Sequence, residues 1–215
     1  MSPAGYGPSM TGRADGEVAD WALVSAVAAP SALIGGWTLA ASQQPSFDAV
    51  RETISALAAS GATAPWIMSA ALAGTGIAHI VTAAGLRPVP RAARALHALG
   101  GAATVVVAAL PVDVWPQAHG AAAVVAFGAL AVWPAFAWRR GGSGVLRPVV
   151  AAGAATALVG LLALFVAELQ GWTPDGGAAP GLAERAAAGA QALWPLVVVV
   201  ALRSAPTVPV RSSAP

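Results

Sequence analysis

Three short segments carry the side chains with which this chain could do chemistry. The first, FDAVRETISALAASGA, holds Arg51 and Ser55. The second, PVDVWPQAHG, holds Asp113 and His119, and the third, GLAER, holds Glu184 and Arg185. A carboxylate and an imidazole one turn apart can make a general base with its orienter, or supply two ligands to a divalent ion. On that reading His119 is the base, Asp113 orients it and Glu184 serves as an acid. Two ligands fall short of the three that a catalytic zinc site uses, so no metal is assigned. Arg51 and Arg185 are cations suited to a phosphate or carboxylate head group. Ser55 follows Arg51 by four residues, which on a helix places both on one ligand-facing side. The same side chains also suit a structural role, as ion pairs that tie three loops together.

Apolar stretches hold three more polar groups. His79 and His97 flank a hairpin almost symmetrically, so they can face each other at equal depth. Such a pair can ligate haem or form a hydrogen-bonded interior contact. Gln191, just before Trp194 and Pro195, is suited to join helices by hydrogen bonds. No carboxylate or arginine falls near the middle of an apolar stretch, which removes most support for an ion-coupled transporter.

The elements that must position these groups follow from composition. Of 215 residues, 57% are hydrophobic and 9% charged, with mean hydropathy +0.71. A soluble domain carries about 25% charged residues. A spanning helix needs roughly 20 mainly apolar residues, and the long Ala/Val/Leu/Gly runs lack the alternation of barrel strands. The fold class is therefore all-α, a polytopic membrane protein of six transmembrane helices. The predicted spans are Trp21–Ala41, Pro65–Gly85, Ala92–Leu110, Gln117–Trp138, Leu146–Leu169 and Leu182–Leu202. Residues 21–203 form a single domain, and segments 1–20 and 204–215, rich in Gly, Pro and Ser, read as disordered cytoplasmic tails.

Arginine placement sets the orientation. All eleven basic residues are arginine. Nine of them (Arg13, Arg87, Arg91, Arg94, Arg139, Arg140, Arg147, Arg203 and Arg211) fall on one side, and only Arg51 and Arg185 on the other. The positive-inside rule puts both termini in the cytoplasm. Arginine in place of lysine, with abundant Ala, Gly and Pro, fits a GC-rich bacterial genome and hence the bacterial cytoplasmic membrane. Trp21, Trp66, Trp115, Trp138 and Trp172 fall near span ends, where amphipathic rings prefer to sit. Cysteine is absent, which excludes disulfides and thiolate metal sites.

Within the first outer loop Phe47, Val50, Ile54 and Leu57 recur at helical spacing, with Asp48, Arg51, Glu52 and Ser55 on the other face. This predicts a short amphipathic helix at the membrane interface. An arginine about one turn inside the sixth span is costly unless paired, and Glu184, Asp113 or Glu168 is its expected partner. Gly35, Gly36, Ala70, Gly74, Gly100, Gly101, Gly153 and Gly160 offer close-approach surfaces between helices. Pro30, Pro134 and Pro195 fall inside spans.

Taken in order, RETISAL after the first span, Pro111 to Asp113 closing the third, His119 opening the fourth and GLAER opening the sixth resemble the bacterial domain-of-unknown-function 998 membrane family. The resemblance runs from about Ala29 to Arg203. Ala56 and Ala58 stand where that family's pattern carries an acidic residue and a glycine. The resemblance implies that Arg51, Ser55, Asp113, His119, Glu184 and Arg185 belong to one constellation; it implies no activity and no cofactor.

Two functional expectations follow. An outer-leaflet pocket would bind a lipid head group or other anionic amphiphile, with Arg51 and Arg185 as clamps. Alternatively, an intramembrane enzyme would act on a lipid or isoprenoid through His119, Asp113 and Glu184. A structural or accessory role stands beside both. Membrane lipid is the expected partner; no basic patch with interleaved aromatics points to nucleic acid. A protein partner or homo-oligomer stays open.

Overall fold

The computed structural model describes residues 16–205. It contains six long helices: α1 (Asp20–Ser42), α2 (Pro65–Gly85), α3 (Arg91–Ala109), α4 (Pro116–Val132), α5 (Pro148–Leu169) and α6 (Pro180–Arg203). All six are long and apolar enough to cross a membrane, the fourth span counting a 3-10 turn to Phe136. Most of the predicted tails, including Arg13 and Arg211, lie outside the described residues.

Proline marks the starts. Helices α2, α4, α5 and α6 each begin on one, where the missing N–H costs no intrahelical bond and the fixed φ suits the first turn. Inside a helix proline removes a backbone bond. After Val132 the chain accordingly tightens into a 3-10 turn, Trp133–Phe136, that contains Pro134. Helices α1 and α6 run on through Pro30 and Pro195.

Successive helices pack side by side and α6 returns against α1, which closes a ring. The α4–α5 pair is the sparsest of the six neighbouring seams. By contrast α2 and α3 meet backbone to backbone. A methyl on Gly76 would lie 2.5 Å from the Gly101 carbonyl oxygen, and one on Gly101 2.6 Å from that of Gly76. Only glycine allows this approach. Gly36 and Gly100 are also pressed against neighbours, whereas Gly35, Gly153 and Gly160 face open space.

The two ends of the bundle differ. At the arginine-rich end, Arg94 donates to the Ala83 and Ala84 carbonyls at the end of α2, Arg139 donates to Pro88, and Arg203 pairs with Asp20 at 2.9 Å. Arg94 thus satisfies carbonyls that a helix end leaves unpaired. The five boundary tryptophans are exposed, from 43% for Trp138 to 73% for Trp172, whereas Trp133 is fully buried.

At the arginine-poor end, loop 1 (residues 43–64) departs from the expected amphipathic helix. Residues 49–51 form a turn, and only Ile54–Ala58 coil, as a 3-10 helix with Ile54, Leu57 and Ala58 buried in the bundle. The reason is competition for backbone groups. Asp48 Oδ1 accepts from the Val50 and Arg51 N–H groups, and Glu52 Oε1 accepts from Asp48 N–H. Such side-chain bonds offer the backbone an alternative to the helical ladder.

Candidate functional site

Loop 1 is held from both sides of Ser55. From α6, Glu184 Oε2 accepts the Ile54 N–H at 2.5 Å, and the Leu182 N–H donates to Val50 at 3.1 Å. Arg185 Nη1 donates to the carbonyls of Ala49, Glu52 and Gly181 at 2.9, 3.0 and 2.8 Å. Its guanidinium also lies 5.3 Å from the Phe47 ring centre and 6.0 Å from that of Trp37. Gly181 makes the approach possible, because a Cβ there would collide with the Glu52 carbonyl oxygen. The GLAER segment is thus a receptor for the loop-1 backbone.

From the α3–α4 turn, Asp113 accepts the Ser60 N–H at 2.9 Å and the Ser60 hydroxyl at 2.5 Å. These bonds, the hydroxyl first, hold the Asp113 carboxyl below its ordinary pKa by favouring the charged form. The two carboxylates therefore pin Ile54 and Ser60, and Ser55 lies between.

Ser55 Oγ lies 2.9 Å from His119 Nε2, and His119 Nδ1 lies 2.7 Å from the Leu110 carbonyl oxygen. A carbonyl only accepts, so Nδ1 carries the proton. In the neutral ring Nε2 is then bare, and the Ser55 hydroxyl donates to it. The carbonyl of Leu110, where α3 ends, occupies the place expected for Asp113 and orients the imidazole.

These groups border a crevice of about 560 Å3 in the α4–α5 seam. Its walls are mainly apolar, with Val124 and Phe127 on one side and Leu162, Phe165 and Leu169 on the other. Thr53, Ser55, His119 and Glu184 supply polar edges at the arginine-poor end. A smaller cavity of about 60 Å3 adjoins Ser55 and Glu184 and is bordered further in by Thr75, Thr104, His79 and Gln191.

Of the residues singled out from sequence, Ser55, His119 and Glu184 come together at the crevice, and Asp113 acts beside it through Ser60. The two arginines do not line it. Arg51 is 76% exposed and sits 3.8 Å from Asp48. Arg185 is bound by carbonyls instead of the carboxylate partner expected for it, because three loop-1 and α6 carbonyls converge on one nitrogen. Glu168 accepts the Ala179 N–H, closing the connection between α5 and α6. Sequence reasoning missed Ser60, the Leu110 carbonyl and the crevice itself. The hydroxyl of Ser60 in the first loop was the visible signal, but nothing in its spacing indicated Asp113.

Away from this site His79 Nδ1 lies 2.9 Å from His97 Nε2, and His97 stacks on Trp133 at 4.8 Å. Gln191 donates to the Phe127 carbonyl at 3.1 Å, joining α6 to α4. Among the described residues no three His, Cys, Asp or Glu side chains are grouped to hold a metal ion.

The family model described as "Protein of unknown function (DUF998)" matches residues 26–201. The chain belongs to the DUF998 family. No curated protein and no solved structure matches it. Every group that pins loop 1, from Ala49 to Arg185, falls inside the stretch matched by the DUF998 model.

Proposed function

We propose that this protein binds a membrane amphiphile, with an acyl or isoprenoid chain in the α4–α5 crevice and a head group at Ser55, His119 and Glu184. The observation that carries this reading is the crevice: an apolar slot of about 560 Å3 in the sparsest seam, ending in polar side chains that include Ser55, His119 and Glu184. Ligand sites generally pair mainly apolar walls with a few placed polar groups. Neither Arg51 nor Arg185 borders the slot, so the head group offers hydroxyl, carbonyl or amine groups and not a clamped anion. The arginine count supports placing this end outside the cytoplasm of a bacterial plasma membrane, with both termini inside.

Filling the slot tests the reading. Gly120 and Gly128 border the crevice, and a Cβ on either meets nothing within 4 Å. Leucine at both positions occupies the slot while improving helix propensity by up to ~1 kcal/mol per site. Native mass spectrometry of wild type is expected to show a discrete lipid mass that Gly120→Leu/Gly128→Leu loses, with no fall in Tm. A wild type that carries no lipid, or a double variant that retains it, overturns the proposal.

A further inference from the structure

From the Ser55–His119 pair we infer that the protein cleaves an acyl ester of the bound amphiphile, with Ser55 as nucleophile and His119 as general base. The inference rests on the amphiphile reading above and names the substrate class for the same site. Three observations converge on it. The Ser55 hydroxyl donates to the bare Nε2 of an imidazole whose other nitrogen is fixed by the Leu110 carbonyl. That is the nucleophile, base and orienter arrangement that activates a serine. The backbone on either side of Ser55 is held independently, at Ile54 by Glu184 and at Ser60 by Asp113, so two carboxylates place the hydroxyl. Ser55 also borders both the apolar crevice and the smaller cavity, whose 60 Å3 has room for water among polar partners.

The step balances with water as the only co-reactant. Ser55 Oγ forms a bond to the acyl carbon as its proton passes to His119 Nε2. The bond from the acyl carbon to the alcohol oxygen breaks, and that oxygen takes the proton from Nε2. Water then adds to the acyl-serine, again losing a proton to Nε2, and the Oγ–carbon bond breaks as Oγ recovers that proton. One ester and one water become one acid and one alcohol. In this scheme Asp113 is a positioning residue, and Glu184 both positions the Ser55 backbone and meets the head group.

The test uses the full chain in detergent micelles with a long-chain alkyl fluorophosphonate, which phosphonylates activated serines. The expected result is one adduct, mapped by peptide mass to Ser55. It should vanish in Ser55→Ala and form ~100-fold more slowly in His119→Gln, the usual scale of a general base. Ser42→Ala, whose hydroxyl donates to the Leu39 carbonyl and accepts from Gln43 Nε2, away from any imidazole, should label as wild type. No adduct at Ser55, or one whose rate ignores His119→Gln, overturns the chemistry. If native mass spectrometry still finds the lipid then, the binding reading survives; if the lipid is missing as well, both fall.

Discussion

The protein contains two buried histidine clusters with opposite surroundings. At the arginine-poor end both nitrogens of His119 have partners, a carbonyl and a hydroxyl, and the ring borders a crevice. Toward the other end His79 and His97 bond to each other, His97 lies against Trp133, and His97 Nδ1 has no partner. The first cluster draws its members from a loop and two helix ends; the second comes from packed helical segments. His119 faces a hydroxyl beside an apolar slot. His97 is stacked against indole between packed helices. Residue type alone does not separate them; what lies next to the ring does.

The largest expected effect breaks the first cluster from outside. Arg185→Met strips the donor from three carbonyls and should cost about 2–4 kcal/mol. Hydrogen exchange should quicken across residues 47–58, and the lipid mass should be lost with it. Unchanged exchange there would mean that α6 does not hold loop 1. A middle-sized effect tests the second cluster. His97→Leu leaves His79 Nδ1 without its partner and should cost about 1–3 kcal/mol, whereas His79→Leu/His97→Leu should recover most of that, since replacing both members of a buried pair is close to neutral. Thermal unfolding reads both, and the double variant should keep its bound lipid. Loss of lipid there would erase the distinction between the clusters.

The smallest effect concerns pH. The Asp113 carboxyl titrates below its ordinary range because Ser60 bonds its charged form. Its contribution to stability is therefore present above the unfolded carboxylate value near pH ~4 and is lost as pH falls through the lower folded value. Asp113→Asn should lower Tm slightly at neutral pH and flatten the acid limb of a Tm-against-pH curve, so that the two curves converge in acid. A limb as steep as that of wild type would remove Asp113 as an anchor of loop 1.

Much of the fold was legible because lipid imposes one rule on every span. Pro65–Gly85 was placed to the residue, and the other five spans fell within two residues at each end once the 3-10 turn to Phe136 is counted. Long apolar runs and the scarcity of charge carried that information. Loop 1 was legible only in part. Phe47, Val50, Ile54 and Leu57 keep helical spacing, yet Val50 is 47% exposed while Ile54 and Leu57 are buried. Periodicity does not register that Asp48, Glu52 and Arg185 capture the backbone before a helix can form. The Ser55–His119 contact joins residues 64 apart in sequence, and neither has meaning until the loop is tucked in. The contacts of the six polar residues depend on which backbone groups were left free, and sequence spacing does not record that.

The fastening of loop 1 to α6 also sets an order of events during synthesis. Ile54 waits for Glu184 across 130 residues, roughly 7–26 s of elongation at about 5–20 residues per second. Helices α1 to α5 can enter the bilayer in that interval, but the ribosome must deliver the last helix before Ser55 meets its final surroundings. A nascent chain stalled after α5 therefore has its serine and its histidine but lacks the clasp that brings them into register, so whatever this site does begins only once α6 has been made.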